Sequence, residues 1–204
     1  MTNNNMIFIA NWKMNGEKRH ISDINKTIKF SKISKNKKNQ IIYCPPFTLI
    51  SIIKNKLKST NIKVGAQNIH QLNDYGAFTG SVNSKLIKSV GCDYVIIGHS
   101  DIRNQENDSI INKKIQSALK EKLKVIFCIG ETYKEKKNNK TLKVLKKQIT
   151  VALKNVKKIN NIIFAYEPRW AIGSGKIPKI PELRNNFNGI SKIVNKLKKK
   201  QKFK

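Results

Sequence analysis

The chain has little cysteine, little acid, almost no arginine and no long apolar run. Its three cysteines, Cys44, Cys92 and Cys128, stand more than thirty residues apart. That spacing makes neither a disulfide framework nor a metal knuckle, and it fits a reducing, cytoplasmic setting. No stretch approaches the roughly eighteen apolar residues of a membrane-spanning helix. The opening MTNNNMIFIA lacks a basic n-region and a small-residue cleavage site, so neither a secretory leader nor a membrane partner is expected. A hydrophobic fraction of 39% over 204 residues is low but fills the core of one ordinary domain. A single domain spanning 1–204 is therefore expected.

Acid is scarce enough to leave a formal charge of +30, from 42 basic against 12 acidic residues. Such an excess ordinarily points to a polyanion. The basic set, however, is 38 lysines and only 4 arginines, and arginine is the preferred reader of phosphates and base edges. Lys, Asn and Ile make up 94 of the 204 residues while alanine contributes 7, the bias of A/T-rich codons. The lysines are also spread along the chain. They read as decoration of solvated helix faces, without a specific nucleic-acid partner.

What the chain does have is alternation. Short apolar, β-branched runs at Ile7–Lys13, Gln40–Cys44, Ile62–Gln67, Cys92–His99, Lys124–Ile129 and Ile162–Glu167 read as strands. Lysine-rich segments with apolar residues three and four apart read as helices over Ile21–Ile33, Phe47–Lys58, Asn83–Val90, Ser109–Lys122, Lys140–Val156 and about Pro181–Lys200. Ser22, Asp108 and the Pro181-Glu182 pair are candidate helix starts. Nearly continuous apolar strands suit a parallel sheet covered by helices on both faces. Regular β/α alternation leaves a doubly wound open sheet or a (β/α) barrel. No G-x-G-x-x-G follows the first strand, which disfavours the dinucleotide-binding sheet. A closed barrel takes eight units and typically about 250 residues, and this chain supplies six.

Polar residues interrupt the strands at their C-terminal ends, the rim where parallel α/β folds bind ligands. By the two-residue period, Ile7 and Ile9 share a face with Asn11 and Lys13, Val95 and Ile97 with His99, and Ile163 and Ala165 with Glu167. An ammonium, an imidazole and a carboxylate thus end three inward rows.

The contexts of these residues are FIANWKMNG (8–16), YCPPF (43–47), GAQN (65–68), GAFTG (76–80), YVIIGHSDIR (94–103), CIGET (128–132) and AYEPRWAIGSGK (165–176). In this order they resemble the triosephosphate isomerase family, to about Lys176. The resemblance implies an α/β fold of the TIM-barrel type, with six of its eight β/α units present. It implies interconversion of dihydroxyacetone phosphate and glyceraldehyde 3-phosphate through an enediolate, with no metal and no organic cofactor. Glu167 matches the family's general base, His99 the electrophile, Lys13 the substrate-binding cation and Asn11 the substrate-binding amide beside it. Ser100 and Asp101 match supporting positions. Pro168–Lys176 matches the lid, whose Gly173 and Ser174 are expected to present N–H groups to phosphate. Ile69–Gly80 matches a loop that enters a neighbouring subunit through Thr79, which implies a homodimer.

The sequence also departs from the family pattern. Asp101 stands where a glutamate is usual, Ile102 where an arginine is, and Arg169 where valine is common. Two further strands with glycine-rich phosphate-binding turns are expected after the sixth unit, and the chain instead runs to Leu197-Lys-Lys-Lys-Gln-Lys-Phe-Lys204. The expectation is a chain shortened by a frameshift in an adenine run or by truncation, and poorly soluble or barely active. An inactive remnant of the enzyme and a basic nucleic-acid-associated protein stand as the alternatives.

Overall fold

The computed structural model describes residues 6–33 and 38–202. Residues 1–5 of the N-terminal reading and the last two residues of the lysine-rich tail lie outside them. The chain divides into two compact units, Met1–Ile96 with Lys120–Lys124, and Ile97–Leu119 with Val125–Lys204.

The first unit carries β1 (Ile7–Asn11), β2 (Gln40–Cys44), β3 (Lys63–Ala66) and all but the last residue of β4 (Tyr94–Ile97). They are hydrogen-bonded in chain order, and each described pairing is parallel. Parallel neighbours need crossovers, and helices supply them: α1 (Ile24–Lys32), α2 (Ile50–Lys56) and α3 (Ser84–Ser89). Ile42, Val64, Val95 and Ile53 are completely buried, so the apolar strand runs do become core. β1 is less covered, with Ile7 and Phe8 both exposed.

The second unit pairs β5 (Lys124–Ile129) with β6 (Ile162–Tyr166), parallel, from Val125↔Ile162 to Ile129↔Tyr166. Its helices are α4 (Asp108–Lys120), the short α5 (Tyr133–Lys137), α6 (Thr141–Ala152) and α7 (Ile180–Lys202). In α4, Ile111, Ile115, Ala118 and Leu119 are buried, and in α6 Leu145, Ile149 and Ala152 are. These are the three-and-four spacings that lay one apolar stripe on a core while Lys113, Lys143, Lys146 and Lys147 stay exposed. Lys114 is buried and paired with Glu106.

Several local expectations change. Phe47–Lys58 opens as a 3-10 turn over Phe47–Leu49 before α2, and β3 and β4 are shorter at both ends than Ile62–Gln67 and Cys92–His99. Ile21–Ile33 is not one helix, because a 3-10 turn over Lys18–Asp23 precedes α1. Ser22 does not cap it, since its hydroxyl donates to the Arg19 carbonyl at 3.0 Å. Asp108 is the first residue of α4 rather than its cap. Asn107 accepts the Ile110 N–H at 2.9 Å, and Asp108 is taken up by Arg103 at 2.6 Å. The helix α5 was not anticipated, although Thr132 and Glu135 form the capping box that starts it.

Candidate active site

In the second unit, β4 ends at Ile97 and Gly98 follows at φ +75°. A side chain is strained at that angle, and a Cβ here would stand 3.1 Å from the Cys128 carbonyl oxygen. His99 is therefore aimed by a left-handed turn, not by the strand period that the sequence suggested. Glu167 does follow its strand: its N–H donates to the Ile129 carbonyl at 2.8 Å, continuing the β5–β6 ladder one residue past Tyr166.

The two side chains meet. His99 Nε2 lies 3.5 Å from Glu167 Oε2, with the imidazole about one-tenth and the carboxylate about one-quarter exposed. Glu167 Oε1 accepts from the Cys128 thiol at 3.4 Å. Oε2 is buried and has no hydrogen-bond partner among the described residues, so it keeps a lone pair for an incoming proton. At the other side of the ring, Nδ1 accepts the Asp101 backbone N–H at 3.2 Å. The Asp101 carboxylate, 3.4 Å from the same nitrogen, would favour a proton there. The backbone donor decides the matter, because an amide cannot give up its proton while the half-exposed carboxylate is solvated. In the neutral ring the proton therefore sits on Nε2, facing Glu167.

Several residues hold this pair, and the sequence reading did not single them out. Gly130 runs against Glu167: an added Cβ would overlap the Glu167 carbonyl oxygen and come within 2.6 Å of its carbon. The buried amide of Gln148 pins Gly130 from α6, accepting its N–H and donating to its carbonyl, both at 3.0 Å. Cys128 and Gly130 lie inside the CIGET motif, whereas Gln148, one polar residue in a lysine-rich helix, gave no signal. Arg103, held by Asp108, also reaches the Cys128 carbonyl at 3.5 Å and anchors the segment carrying Ser100 and Asp101.

The segment Pro168–Lys176, expected as a lid, leaves Glu167 directly. The Arg169 N–H donates to the Glu131 carbonyl at 3.0 Å and its guanidinium bonds Asn104. Trp170 Nε1 donates to Glu131 Oε1 at 2.8 Å. Gly173 and Gly175 take φ of +69° and +71°. Ser174 turns its hydroxyl inward to the Trp170 carbonyl at 2.7 Å. A cavity of about 310 Å³ lies between Arg169, Trp170 and Ile172 on one side and Ser100, Asp101, Thr132 and Tyr133 on the other. Burial together with the Glu131 carboxylate pushes the Tyr166 phenol well above its ordinary range, so it remains a donor to Glu131, at 3.1 and 3.2 Å.

In the first unit, β1 ends at Asn11, and Lys13 has φ +53°. The alternation does not extend to Lys13; it is presented by a left-handed turn. The turn is closed by two amide side chains. Asn11 Oδ1 accepts the Lys13 N–H at 3.0 Å, and Gln67 Nε2 donates to the Lys13 and Cys44 carbonyls at 2.8 and 2.9 Å. Gln67 belongs to the GAQN motif and holds the lysine's backbone, a role the sequence reading missed. Thr79 is exposed on a loop whose body is tied by Asp74 to Lys85 at 2.6 Å and by stacking of His70 on Phe78. Tyr75 and Phe78 on that loop are exposed.

Among the described residues no group of three His, Cys, Asp or Glu side chains is placed to hold a metal ion, and no helix is long and apolar enough to cross a membrane.

A family model described as triosephosphate isomerase matches residues 6–204. The chain is 39% identical over 192 residues to the triosephosphate isomerase of Alkaliphilus oremlandii, covering 92% of this chain and 76% of that protein. It is 40% identical over 180 residues to that of Aquifex aeolicus, covering 86% and 71%. The crystal structure of triosephosphate isomerase from Bartonella henselae superposes with a TM-score of 0.74 at 37% identity, over 80% of this chain and 68% of that one.

Proposed function

Because this chain belongs to the triosephosphate isomerase family and has its TIM-barrel type of β/α fold, we propose that Glu167 and His99 are the residues that move the proton and hold the charge in its aldose–ketose isomerisation. The observation that carries the assignment is the unpartnered Glu167 Oε2 facing His99 Nε2 at 3.5 Å. Oε2 removes a carbon-bound proton of the triose phosphate. The electron pair passes into the neighbouring carbonyl, whose oxygen becomes negative. The Nε2–H of His99 donates to that oxygen. The former carbonyl oxygen takes up a proton while the hydroxyl on the neighbouring carbon gives one up, a transfer His99 Nε2 relays. Glu167 returns its proton to the former carbonyl carbon, acting as base and then as acid.

Lys13 is proposed as the cation that binds the substrate and supports the enediolate charge, with Asn11 beside it. The support is its motif and the built turn that presents it at φ +53°. Ser100 and Asp101 are proposed as supporting groups and Pro168–Lys176 as the lid, with Gly173 and Ser174 in contact with phosphate. Closure would exclude water that protonates or diverts the intermediate. The exposed Tyr75, Phe78 and Thr79 loop supports a homodimer, and a cytoplasmic setting fits three buried cysteines that form no disulfide.

A coupled assay for isomerisation of glyceraldehyde 3-phosphate tests the reading. Turnover by the parent chain and a loss of about a thousandfold in Glu167→Gln are expected, in the range of a missing general base. Equal rates would overturn it. Sedimentation equilibrium tests the dimer, which Thr79→Asp should weaken.

A further inference from the structure

Below the lid lies a charged group that the proton-transfer chemistry does not use. Lys136 projects from the short helix α5, and its ammonium stands 3.4 Å from the centroid of the Trp170 ring. The same nitrogen is 2.7 and 2.9 Å from the two oxygens of Glu182, in the first turn of α7. Both charged side chains are under one-third exposed. A cation over an indole face is attracted by the ring quadrupole, more strongly once part of its water is gone. The carboxylate behind it fixes the ammonium at one place, so the ring meets a positioned charge and not a wandering lysine.

Trp170 is thus gripped twice. Its N–H goes to Glu131, which is completely buried, and its face goes to Lys136. Both grips are braced from α7. Glu182 holds Lys136, and Asn186 Nδ2 donates at 2.8 Å to the Tyr166 hydroxyl that bonds Glu131. Trp170 is the third residue after Glu167, so any swing of the lid about its first hinge must move this ring.

We propose that Lys136, oriented by Glu182, is a positioning residue for the lid: its charge holds the Trp170 indole and thereby sets the balance between the lid conformer described here and those in which Trp170 departs. A contact made in one conformer and lost in another shifts the balance by its differential strength. The consequence for catalysis rests on the isomerase reading; the consequence for Trp170 does not.

The test uses the full chain and the variants Lys136→Met, which keeps the stem and removes the charge, Lys136→Arg, which restores a cation, and Glu182→Gln. The chain has two tryptophans and five tyrosines, so Trp12→Phe with excitation at the red edge of the indole band leaves Trp170 as the sole tryptophan emitter for the fluorescence arm. With Lys136→Met, acrylamide quenching of Trp170 should rise at least twofold. In the two-tryptophan background KM should shift at least threefold, with kcat changing less. Lys136→Arg should return both values to within twofold of the parent. Glu182→Gln should act in the same direction, and should add nothing once Lys136 is Met. Unchanged quenching in Lys136→Met, or a Glu182→Gln effect that persists in its presence, would overturn the proposal. If the parent showed no turnover, the isomerase reading would fail while the fluorescence result still decided the role of Lys136.

Discussion

His99 Nε2 and Glu167 Oε2 stand 3.5 Å apart, and the backbone N–H of Asp101 claims the opposite nitrogen of the ring at 3.2 Å. The ring thereby offers one N–H, in one direction, toward the place where a carbonyl oxygen would gain charge. His99→Ala should lower kcat by about 10²–10³, the usual loss of one oxyanion donor. Its urea midpoint should move little, because Cys128, Gly130 and Gln148 still hold Glu167. The coupled assay beside an unfolding curve measures both.

Lys13 separates backbone strain from charge. A non-glycine residue at φ +53° costs roughly 1–3 kcal/mol when held in a sparsely populated region. Lys13→Gly should leave stability unchanged or raised, while activity falls at least a hundredfold. Lys13→Ala loses the ammonium and keeps the strain, so it should be equally inactive and less stable than the glycine variant. Equal unfolding free energies for the two would contradict this account.

Gly130 has no room for a methyl group, since the added Cβ meets the backbone of Glu167. Gly130→Ala must therefore displace either Glu167 or the end of β5. A stability loss of about 1–3 kcal/mol or more is expected from such overpacking. The remaining folded enzyme should also lose turnover, because a shift of about 1 Å in a reacting group can cost about a hundredfold. A crystal structure of the variant would show Glu167 moved.

Cys44 and Cys92 carry an alkaline signature. Burial pushes both thiols up to about 12 from an ordinary 9.0, with Cys92 adding to the effect on Cys44 and Asp93 to that on Cys92. Above pH 9 the unfolded thiols ionise while the folded ones keep their protons. Their contribution is fully present below pH 9 and is lost as pH rises toward 12. The slope is about 1.4 kcal/mol per pH unit for each thiol. Urea unfolding of the parent and of Cys44→Ala/Cys92→Ala between pH 8 and 10 should show a steeper decline in the parent.

Gln40–Cys44 and Lys124–Ile129 form with the ends their apolar runs indicate. β3 and β4, buried alike, are shorter at both ends than Ile62–Gln67 and Cys92–His99, because buried residues continue past the last ladder hydrogen bond and burial alone does not mark where pairing stops. Caps were less legible. Ser22 and Asp108 have the right chemistry for caps but found better partners in the Arg19 carbonyl and the Arg103 guanidinium. The short helix α5 hid in a lysine run, with only the Thr132–Glu135 box to mark it.

The residue types of the candidate site, their order and their motifs were written in the chain alone, because a carboxylate, an imidazole and an ammonium that interrupt apolar strands stand out against any background. How two of them are aimed was not. The strand period would have continued Lys13 and His99 along their inward rows, yet each is turned by a left-handed backbone, at Lys13 itself and at Gly98. The proton's place on His99 is set locally, by the N–H of Asp101. Tertiary structure alone set Glu167 Oε2, without a hydrogen-bond partner among the described residues, 3.5 Å from His99 Nε2, because the imidazole and the Cys128 thiol arrive from segments distant in sequence.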